Sequence, residues 1–592
     1  MSKVDAKAYL SPSLVLLAMD WKGGEERSDF LGFAISRAPG FKNFVTNKIS
    51  KSDWLPNRLS FDGPPPEGEP DPPSKTAPIQ KFMWWDARLE GFKAGDRIKY
   101  SISPVCGTPE DNALVTDATV TLAITLPSHV DKGVGTWFNR AVMSSQAFSR
   151  KVFALKLGPG KAPNKAQTLE LRSWLSNGME LPVPDLIQGK GNSIAGAIYH
   201  LTDNLWIRPA LKSQMKKKKI ELIYDSKVQK DKDGNVIENV SQGAIDELTN
   251  VTFHGRNKTN IMHNKFLVSG TNVLKKDGEA LHLTCGSANY TTQGLTSQAN
   301  LVHTFQSRPL AELYLERFRL LEGNPTKGKT AESTGWSNTV SVGDAGVRVF
   351  FSPEPGKPGD DSESIETIVQ AIHGARSSVI FCLFTPTDQL LRDACFAAGD
   401  AGKMMFGLVN RISREEPEPK PTSTGKIPAD QLAALEIYHR SKKAKDTIGA
   451  EFFGSKNIPE GFVREINAFP GEKLPPYPPV IIHHKFIVVD AETEAPVIYT
   501  GSANMSGNSV FGNDENLLEI RGSSRLAQIY LAEFLRLYEH YRARARYIKF
   551  KMSGKSGANS GFLLRPDRSW ANKHYKPGTP EYKARLRMLS LG

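Results

Sequence analysis

Two short stretches of this chain repeat each other, and this duplication restricts the possible folds more than any other feature. The first, at 261–268, reads Ile-Met-His-Asn-Lys-Phe-Leu-Val, and the second, at 481–490, reads Ile-Ile-His-His-Lys-Phe-Ile-Val-Val-Asp. Each is followed by the same four residues, Gly-Ser-Ala-Asn, at 286–289 and 501–504. Because side chains alternate along a strand, the His and the Lys of each copy are expected on one face. An imidazole, an ammonium group and an amide in each copy suit the binding and attack of a phosphate.

The repeat extends beyond these motifs. A gapless alignment places Asp225 on Asn410, and the amphipathic helix expected at 310–318 matches one at 526–534. The second copy carries an insertion near 415–421. Strands that alternate with helices predict an α/β fold, an α-β-α sandwich in each half. Related halves pack most simply about a pseudo-two-fold axis, which would bring the two motifs to one cleft.

The N-terminal part of the chain has a different pattern. Short runs such as 98–103 and 120–125 alternate apolar and polar residues, and segments rich in turn formers separate them. No long amphipathic helix interrupts them, which predicts an all-β sandwich of immunoglobulin-like type. The predicted domains are this sandwich at 1–127, the first half at 128–335, the second half at 336–550 and a C-terminal extension at 551–592.

Charge and composition restrict the partners and the compartment. The net charge of +13 favours an anionic partner, which could be a nucleic acid, an anionic lipid surface or a polyphosphate. No apolar run reaches the roughly 20 residues that span a bilayer, and the apolar stretch at 14–21 is interpreted as a strand, not a signal peptide. Four cysteines without C-x-x-C spacing argue against a disulfide framework or a zinc site and predict a cytoplasmic location.

The duplicated motif resembles that of the phospholipase D superfamily. The resemblance rests on His-x-Lys followed by Gly-Ser-x-Asn, twice in one chain, and covers about 140–545. It implies a metal-independent phosphodiesterase without a cofactor, in which one His attacks phosphorus and a second His serves as acid and then base.

The resemblance also assigns roles to individual residues. It implies that His263 is the nucleophile that becomes phosphohistidine and that His483 is the acid and base. Lys and Asn side chains would stabilise the charge on the phosphate oxygens. The predicted phosphate clamp consists of Lys265, Lys485, Asn289 and Asn504, with Ser287 and Ser502 as supporting substrate-binding residues.

Each His needs a partner that fixes its tautomer. Members of the family carry an acid about a dozen residues beyond Gly-Ser-x-Asn, often reaching across from the opposite half. Glu515 fits this position and is predicted to orient His263. The equivalent residue of the first half, Asn300, is predicted to face His483.

The two copies differ at the end of the motif. Asp490 completes the second copy, whereas Gly270 stands at the equivalent position of the first. We expect this Asp to support the strand and its loop, so that its loss affects stability more than chemistry. The adjacent His484 could suggest a metal cluster, but no acidic ligand has suitable spacing, and no metal site is predicted.

Three functions remain open. The first is hydrolysis or transfer of a phospholipid head group, with peripheral contact to an anionic membrane. The second is cleavage of DNA or RNA, which the basic charge and the resemblance of 262–266 to the nuclease and cardiolipin-hydrolase branch favour. The third is a non-catalytic binding protein whose sandwich domain does the work. The sequence leaves the head-group or base preference and the oligomeric state open.

Overall fold

The computed structural model of the protein describes residues 2–43, 46–63, 65, 69–143, 145–157, 162–450, 480–552 and 563–590. The N-terminal part contains eight strands and one short helix in the described residues. These are β1 (Asp5–Ser11), β2 (Leu14–Asp20), α1 (Gly23–Glu26), β3 (Phe30–Ala38), β4 (Asp53–Trp54), β5 (Met83–Asp86), β6 (Arg97–Gly107), β7 (Asn112–Leu114) and β8 (Val120–Thr125).

These strands form two sheets in which all pairings are antiparallel. One sheet has the order β1-β2-β5, and the other has the order β4-β3-β6-β7 with β8 also paired to β6. The all-β domain of immunoglobulin-like type stays a prediction for this part of the chain.

The first half follows directly. Its elements are β9 (Val130–Asp131), β10 (Val134–Phe138), α2 (Gln146–Ala154), α3 (Lys165–Ser176), α4 (Pro182–Gln188), β11 (Ser193–Ile198), α5 (Ile207–Gln214), β12 (Lys219–Asp225), β13 (Gln229–Lys230), β14 (Val236–Ile237), α6 (Gln242–Glu247), β15 (Val251–Arg256), β16 (Lys265–Thr271), β17 (Glu279–Gly286), α7 (Thr292–Thr296), β18 (Leu301–Phe305), α8 (Arg308–Glu322) and α9 (Lys327–Ala331).

The second half and the C-terminal part complete the described chain. Their elements are β19 (Val340–Val342), β20 (Ala345–Ser352), α10 (Glu363–His373), β21 (Ser378–Leu383), α11 (Gln389–Asp400), β22 (Met404–Val409), α12 (Ala429–Lys443), β23 (Thr447–Gly449), β24 (Lys485–Val489), β25 (Val497–Gly501), α13 (Gly507–Phe511), β26 (Glu515–Arg521), α14 (Ser524–Met552), α15 (Asn572–Tyr575) and α16 (Pro580–Met588).

The two halves contain sheets of the same strand order. The first runs β15-β12-β11-β16-β17-β18-β10-β9, and the second runs β23-β22-β21-β24-β25-β26-β20-β19. In each, the first three strands are parallel and the rest antiparallel. This mixed α/β topology, present twice, agrees with the repeat in the sequence.

The motif strands show why both faces of each sheet are buried. In β16, Phe266 and Val268 belong to the core shared by the two halves, whereas Leu267 packs into the outer core of the first half. In β24, Phe486 and Val488 face the shared core and Ile487 faces the outer core of the second half. Because side chains alternate along a strand, a continuous apolar run fills a core on either side.

The shared core also contains the buried faces of α8 and α14, which supply Tyr314 and Tyr530 among others. The first half and the second half thus enclose one hydrophobic cluster instead of meeting as separate bodies. In the described part of the chain, no helix has the length and apolar character needed to cross a bilayer.

Candidate active site

The backbone in front of each motif histidine pairs with the opposite half of the protein. Met262 forms a bridge with Asp514, and the His263 amide donates to the Asp514 carbonyl at 3.0 Å. In the same way, Ile482 forms a bridge with Ala299, and the His483 amide donates to the Ala299 carbonyl at 3.1 Å. The residue that follows Asp514 or Ala299 therefore lies beside the histidine of the other half.

Glu515 occupies that position beside His263. Its Oε2 atom lies 2.8 Å from His263 Nδ1, so the predicted contact between these residues is present. The same carboxylate accepts hydrogen bonds from Ser502 Oγ at 2.7 Å, Ser509 Oγ at 3.0 Å and Asn513 Nδ2 at 3.2 Å. Because a carboxylate only accepts, Nδ1 carries the proton and the Nε2 lone pair is left for the site.

Asn300 takes the equivalent place beside His483, with its Oδ1 atom 2.9 Å from His483 Nδ1. The Asn300 Nδ2 group donates to the Gly294 carbonyl at 2.9 Å, which holds the amide with its oxygen toward the ring. The predicted contact is again present, and the two histidines differ in having a charged and a neutral partner.

The side chains of Ser287 and Ser502, which were predicted to support substrate binding, contact the partners of the two histidines. Both side chains are fully buried. Ser287 Oγ donates to Asn300 Oδ1 at 2.8 Å, and Ser502 Oγ donates to Glu515 Oε2. Each hydroxyl is therefore occupied in holding the partner of a histidine and does not face a ligand.

The motif lysines are the first residues of β16 and β24, and the histidines lie just before these strands, not within them as expected. Lys265 Nζ donates to the His263 carbonyl at 2.5 Å, and Lys485 Nζ donates to the His483 carbonyl at 2.8 Å. These local bonds hold each lysine side chain beside the backbone of its own histidine, although the histidine lies outside the strand that the lysine begins.

Burial lowers the pKa of both lysines. Burial is the main cause for Lys485, whose pKa falls to about 7 although Glu515 opposes the shift. Burial and the charge of Lys485 bring the pKa of Lys265 well below its usual range. Each lysine is charged below its lowered pKa, and a bound anion would raise that pKa and favour the charged form.

Burial disfavours the charged form of both histidines. Burial foremost lowers the pKa of His263 to about 4, with Lys265 and Lys485 adding to the shift and Glu515 opposing it. Burial, Lys485, Lys265 and His263 together hold the pKa of His483 well below its ordinary value. Each histidine therefore senses the lysine of the other half, which indicates that the two motifs share one site.

Asn289 and Asn504 carry buried polar atoms without partners. The Oδ1 atom of each makes no hydrogen bond to any described residue. An amide oxygen accepts hydrogen bonds, so each of these atoms would take a donor and not a phosphate oxygen, which is itself an acceptor. The predicted role of both amides in the phosphate clamp would therefore use their Nδ2 groups, and it stays a prediction.

Sequence reasoning missed the residues that anchor the histidine segments. Asp225 Oδ2, at the end of β12, accepts from the Met262 amide at 2.8 Å. Asn410, directly after β22, accepts from the amides of Ile481 and Ile482 at 2.8 and 3.0 Å. The repeat alignment places Asp225 on Asn410, so the sequence shows that these positions are equivalent. It does not show that both anchor a histidine segment.

Aromatic rings beside each histidine were also missed. Tyr199 makes an edge contact with His263, with ring centroids 5.0 Å apart, and Lys265 Nζ lies 5.2 Å from the same ring. In the second half, the ring centroids of Phe384 and His483 lie 6.3 Å apart. Both rings directly follow the strand that precedes α5 or α11, so the alignment of the halves could have identified them.

The difference between Asp490 and Gly270 has a structural explanation. The Asp490 carboxylate accepts backbone N–H groups of Arg376, Ser377 and Ser378 at 2.7 to 3.1 Å, which holds the chain entering β21. At Gly270 a Cβ atom would lie 2.0 Å from the Glu279 carbonyl oxygen, so no side chain fits.

In the first half, side chains from neighbouring positions replace the missing carboxylate. The Asn272 amide donates to Asn192 Oδ1 at 2.7 Å, and the Val273 amide donates to Ser193 Oγ at 2.8 Å. The same strand entry is thus held by other groups.

A metal ion has one potential group of ligands in the described residues, formed by Glu221, His254 and Glu322. None of these residues belongs to the site around His263 and His483. Lys219 already forms an ion pair with Glu221 at 3.0 Å.

Comparisons with known proteins match this architecture. A family model described as "Cardiolipin synthase, PLD-like domain" matches residues 185–321 and 368–538, together more than half of the chain. A search of curated proteins found no match.

Solved structures show weaker likeness. Phosphatidylserine synthase from Haemophilus influenzae Rd KW20 is 13% identical over 64% of this chain and 93% of its own, with a TM-score of 0.41. Nuc from Salmonella typhimurium, a phospholipase D family member, is 20% identical over 23% of this chain and 82% of its own, with a TM-score of 0.19. Yeast tyrosyl-DNA phosphodiesterase is 11% identical over 58% and 85%, with a TM-score of 0.30.

Likeness at this level decides nothing about activity, but the match of the family model covers both motifs and both halves. The chain belongs to the phospholipase D superfamily.

Proposed function

We propose that this protein is a metal-independent phosphodiesterase that works through a phosphohistidine and hydrolyses or transfers a phospholipid head group. One observation carries the proposal: two neutral histidines with different partners share a buried site with two lysines. Such a site offers a nucleophile, a proton carrier and a charge clamp for one phosphate.

In the first step, His263 Nε2 attacks phosphorus while its Nδ1–H donates to Glu515. The N–P bond forms as the bond between phosphorus and the leaving oxygen breaks, and His483 transfers a proton to that oxygen. The ring of His263 gains positive charge in this step, and the adjacent carboxylate stabilises it.

In the second step, neutral His483 removes a proton from water or an alcohol as its oxygen attacks phosphorus. The N–P bond breaks and frees His263. The product is a new phosphodiester if an alcohol attacked, or a phosphomonoester if water attacked. Lys265, Lys485, Asn289 and Asn504 hold the non-bridging oxygens throughout, which stabilises the charge that develops on them.

The unequal partners support this division of roles. A carboxylate stabilises a positively charged ring better than an amide does, so His263 suits the covalent step. His483 faces the neutral Asn300 amide and releases its proton more readily. It must first gain that proton, and the negative charge of a bound phosphate between the lysines raises its pKa for this purpose.

Phospholipid is the favoured substrate class. Two motifs fused in one chain resemble the lipid-acting members of the superfamily, and the family model that matches is described by a cardiolipin synthase. A nuclease is the competing function that the net charge of +13 favours, and its binding would weaken steeply with salt because each phosphate contact releases counterions.

Bis(p-nitrophenyl) phosphate tests the chemistry without choosing a natural substrate. Because p-nitrophenolate leaves without an acid, His483→Ala should release a stoichiometric burst of it and accumulate phosphoenzyme. His263→Ala should show neither burst nor turnover. The matched control is His439→Ala, which removes an exposed histidine, 56% accessible and paired with Glu416.

Wild-type turnover in both variants would refute the site, and a burst in His263→Ala alone would exchange the two roles. Complete loss of activity on chelation would contradict the metal-independent mechanism. Turnover of phosphatidylcholine, cardiolipin, DNA and RNA by the wild type then identifies the substrate class, and turnover of none would favour a binding function.

A further inference from the structure

A small hairpin beside the candidate active site has an unusual surface. Its strands β13 and β14 pair only with each other among the described residues and form a two-stranded sheet apart from the main ones. Four aliphatic side chains on and beside it are exposed, namely Val228 at 66%, Val236 at 67%, Ile237 at 46% and Val240 at 50%.

The hairpin is a built element. Asp231 Oδ1 accepts the amides of Asp233 and Asn235, both at 2.9 Å, and Asn235 Nδ2 donates to Asp231 Oδ2 at 3.1 Å. Gly234 closes the turn with a φ of +85°, a conformation that favours glycine. The aliphatic side chains are therefore presented to solvent by a defined turn.

The base of the hairpin is tied to the residues that hold His263. Asn239 Nδ2 donates to the Asp225 carbonyl at 2.7 Å, and Lys227 Nζ donates to the Asn260 carbonyl at 3.2 Å. Asp225 in turn anchors the amide of Met262, the residue before His263.

A depression lies beside the apolar surface at the base of the hairpin. Its lining includes His200, Asp225, Lys227, Ile237, Asn239 and Val240. His200 stacks on Tyr199 with ring centroids 3.8 Å apart, and Tyr199 contacts His263. Ile237 and Val240 thus belong both to the exposed surface and to the lining of a depression whose His200 contacts His263 through the ring of Tyr199.

From this geometry we infer that the hairpin formed by 227–240 docks on an anionic phospholipid bilayer and delivers lipid head groups to His263. The inference rests on the proposed function and specifies how its substrate is reached. Exposed apolar clusters mark interaction sites, and aliphatic side chains gain by insertion among acyl chains.

Charge and residue type distinguish the bilayer from a nucleic acid. The whole molecule, with a net charge of +13, is attracted to an anionic surface. Within the hairpin, three lysines are balanced by three acids, so insertion of the aliphatic side chains supplies the local contact; these are Lys227, Lys230, Lys232, Asp231, Asp233 and Glu238. Residues 227–240 contain no aromatic ring on which a base could stack.

The test compares two double variants of the full chain. Val228→Asp/Val236→Asp places charge on two hairpin positions that do not line the depression, and Leu169→Asp/Leu181→Asp places it on two other exposed aliphatic positions, 43% and 52% accessible. We expect the hairpin variant to bind vesicles of equimolar phosphatidylglycerol and phosphatidylcholine roughly 10- to 100-fold more weakly, and the control to bind like the wild type.

Activity toward two substrates separates this inference from the proposed function. The hairpin variant should lose turnover of vesicle phospholipid by a similar factor while its turnover of bis(p-nitrophenyl) phosphate stays unchanged. A wild type that cleaves neither substrate would overturn the proposed function, whereas vesicle sedimentation would still test the docking surface.

A direct probe covers the case in which the variants fold poorly. The four native cysteines are buried, so an environment-sensitive dye can label Val236→Cys, with Leu181→Cys as control. A blue shift on adding these vesicles at position 236 only supports docking. The docking inference would be overturned by no shift at position 236 or by equal shifts at both positions. It would also be overturned if the hairpin variant lost DNA binding by the same factor as vesicle binding.

Discussion

At the scale of single residues, the site depends on one difference between two otherwise matched halves. Glu515 and Asn300 occupy equivalent positions and contact the histidine of the other half at 2.8 and 2.9 Å. A carboxylate supports a positively charged ring, and an amide leaves the ring readier to lose a proton. In the proposed mechanism, this single exchange gives the two histidines different roles.

The same residues predict the pH dependence of kcat/KM, which reports the free protein. His263 must be neutral to attack, and its pKa of about 4 makes activity rise as pH increases through that value. Lys485 must be charged to hold phosphate, and its pKa of about 7 makes activity fall as pH increases further. The profile on bis(p-nitrophenyl) phosphate should therefore be bell-shaped between these values.

Two variants identify the limbs of that profile. Lys485→Arg should move the alkaline limb upward, because a guanidinium keeps its charge. Glu515→Gln should move the acid limb downward, because the carboxylate raises the pKa of His263. An alkaline limb that stays near about 7 in Lys485→Arg would belong to another group.

At the scale of elements, the histidines are positioned by what precedes the motif strands. Asp225 and Asn410 follow β12 and β22, and their side-chain oxygens hold the backbone before His263 and His483. One half performs this task with a carboxylate and the other with an amide. The task therefore needs an acceptor at this place, not a charge.

This equivalence gives a matched pair of variants. Asp225→Asn should keep kcat within a fewfold of the wild type, since Asn410 performs the same role. Asp225→Ala leaves the buried Met262 amide unpaired, which should cost about 1–3 kcal/mol of stability. Displacement of His263 should also lower kcat by about 10- to 100-fold with a smaller effect on KM. Equal kcat in both variants would show that Asp225 does not position His263.

At the scale of the whole molecule, the terminal segments belong to the same packing as the halves. Along β2, Leu14 and Leu16 face the core shared with the two halves, whereas Val15 and Leu17 face the N-terminal core. The C-terminal part contacts the N-terminal strands, since Arg585 forms an ion pair with Asp20 at 2.8 Å. The described part of the predicted extension, 563–590, is thus a packed component of the structure.

Met588 tests this arrangement. Its side chain is fully buried in the shared core, and its carbonyl accepts a hydrogen bond from the Tyr9 hydroxyl at 2.6 Å. Met588→Ala should lower the free energy of unfolding by about 2–5 kcal/mol, measured by urea denaturation. The exposed Lys576→Ala should change it by less than about 0.5 kcal/mol. Equal stability of both variants would mean that the C-terminal segment packs independently.

Sequence patterns alone determined the duplication, the motif strands and the types of side chain at the site. These features are local or repeat at a regular spacing, so alternation and alignment reveal them. The contact of Glu515 with His263 was also predicted, because the repeat and the family resemblance together indicated that an orienting acid crosses between halves.

Tertiary structure decided the rest. The burial of Ser287 and Ser502, the hairpin surface beside His263 and the two-sided burial of β2 all depend on which distant segment packs against them. An apolar strand has the same pattern whether one core or two enclose it, and a serine has the same letter whether it faces a ligand or holds a partner. Only the folded chain brings residues far apart in the sequence into contact, as in the ion pair of Asp20 and Arg585, and so decides between these outcomes.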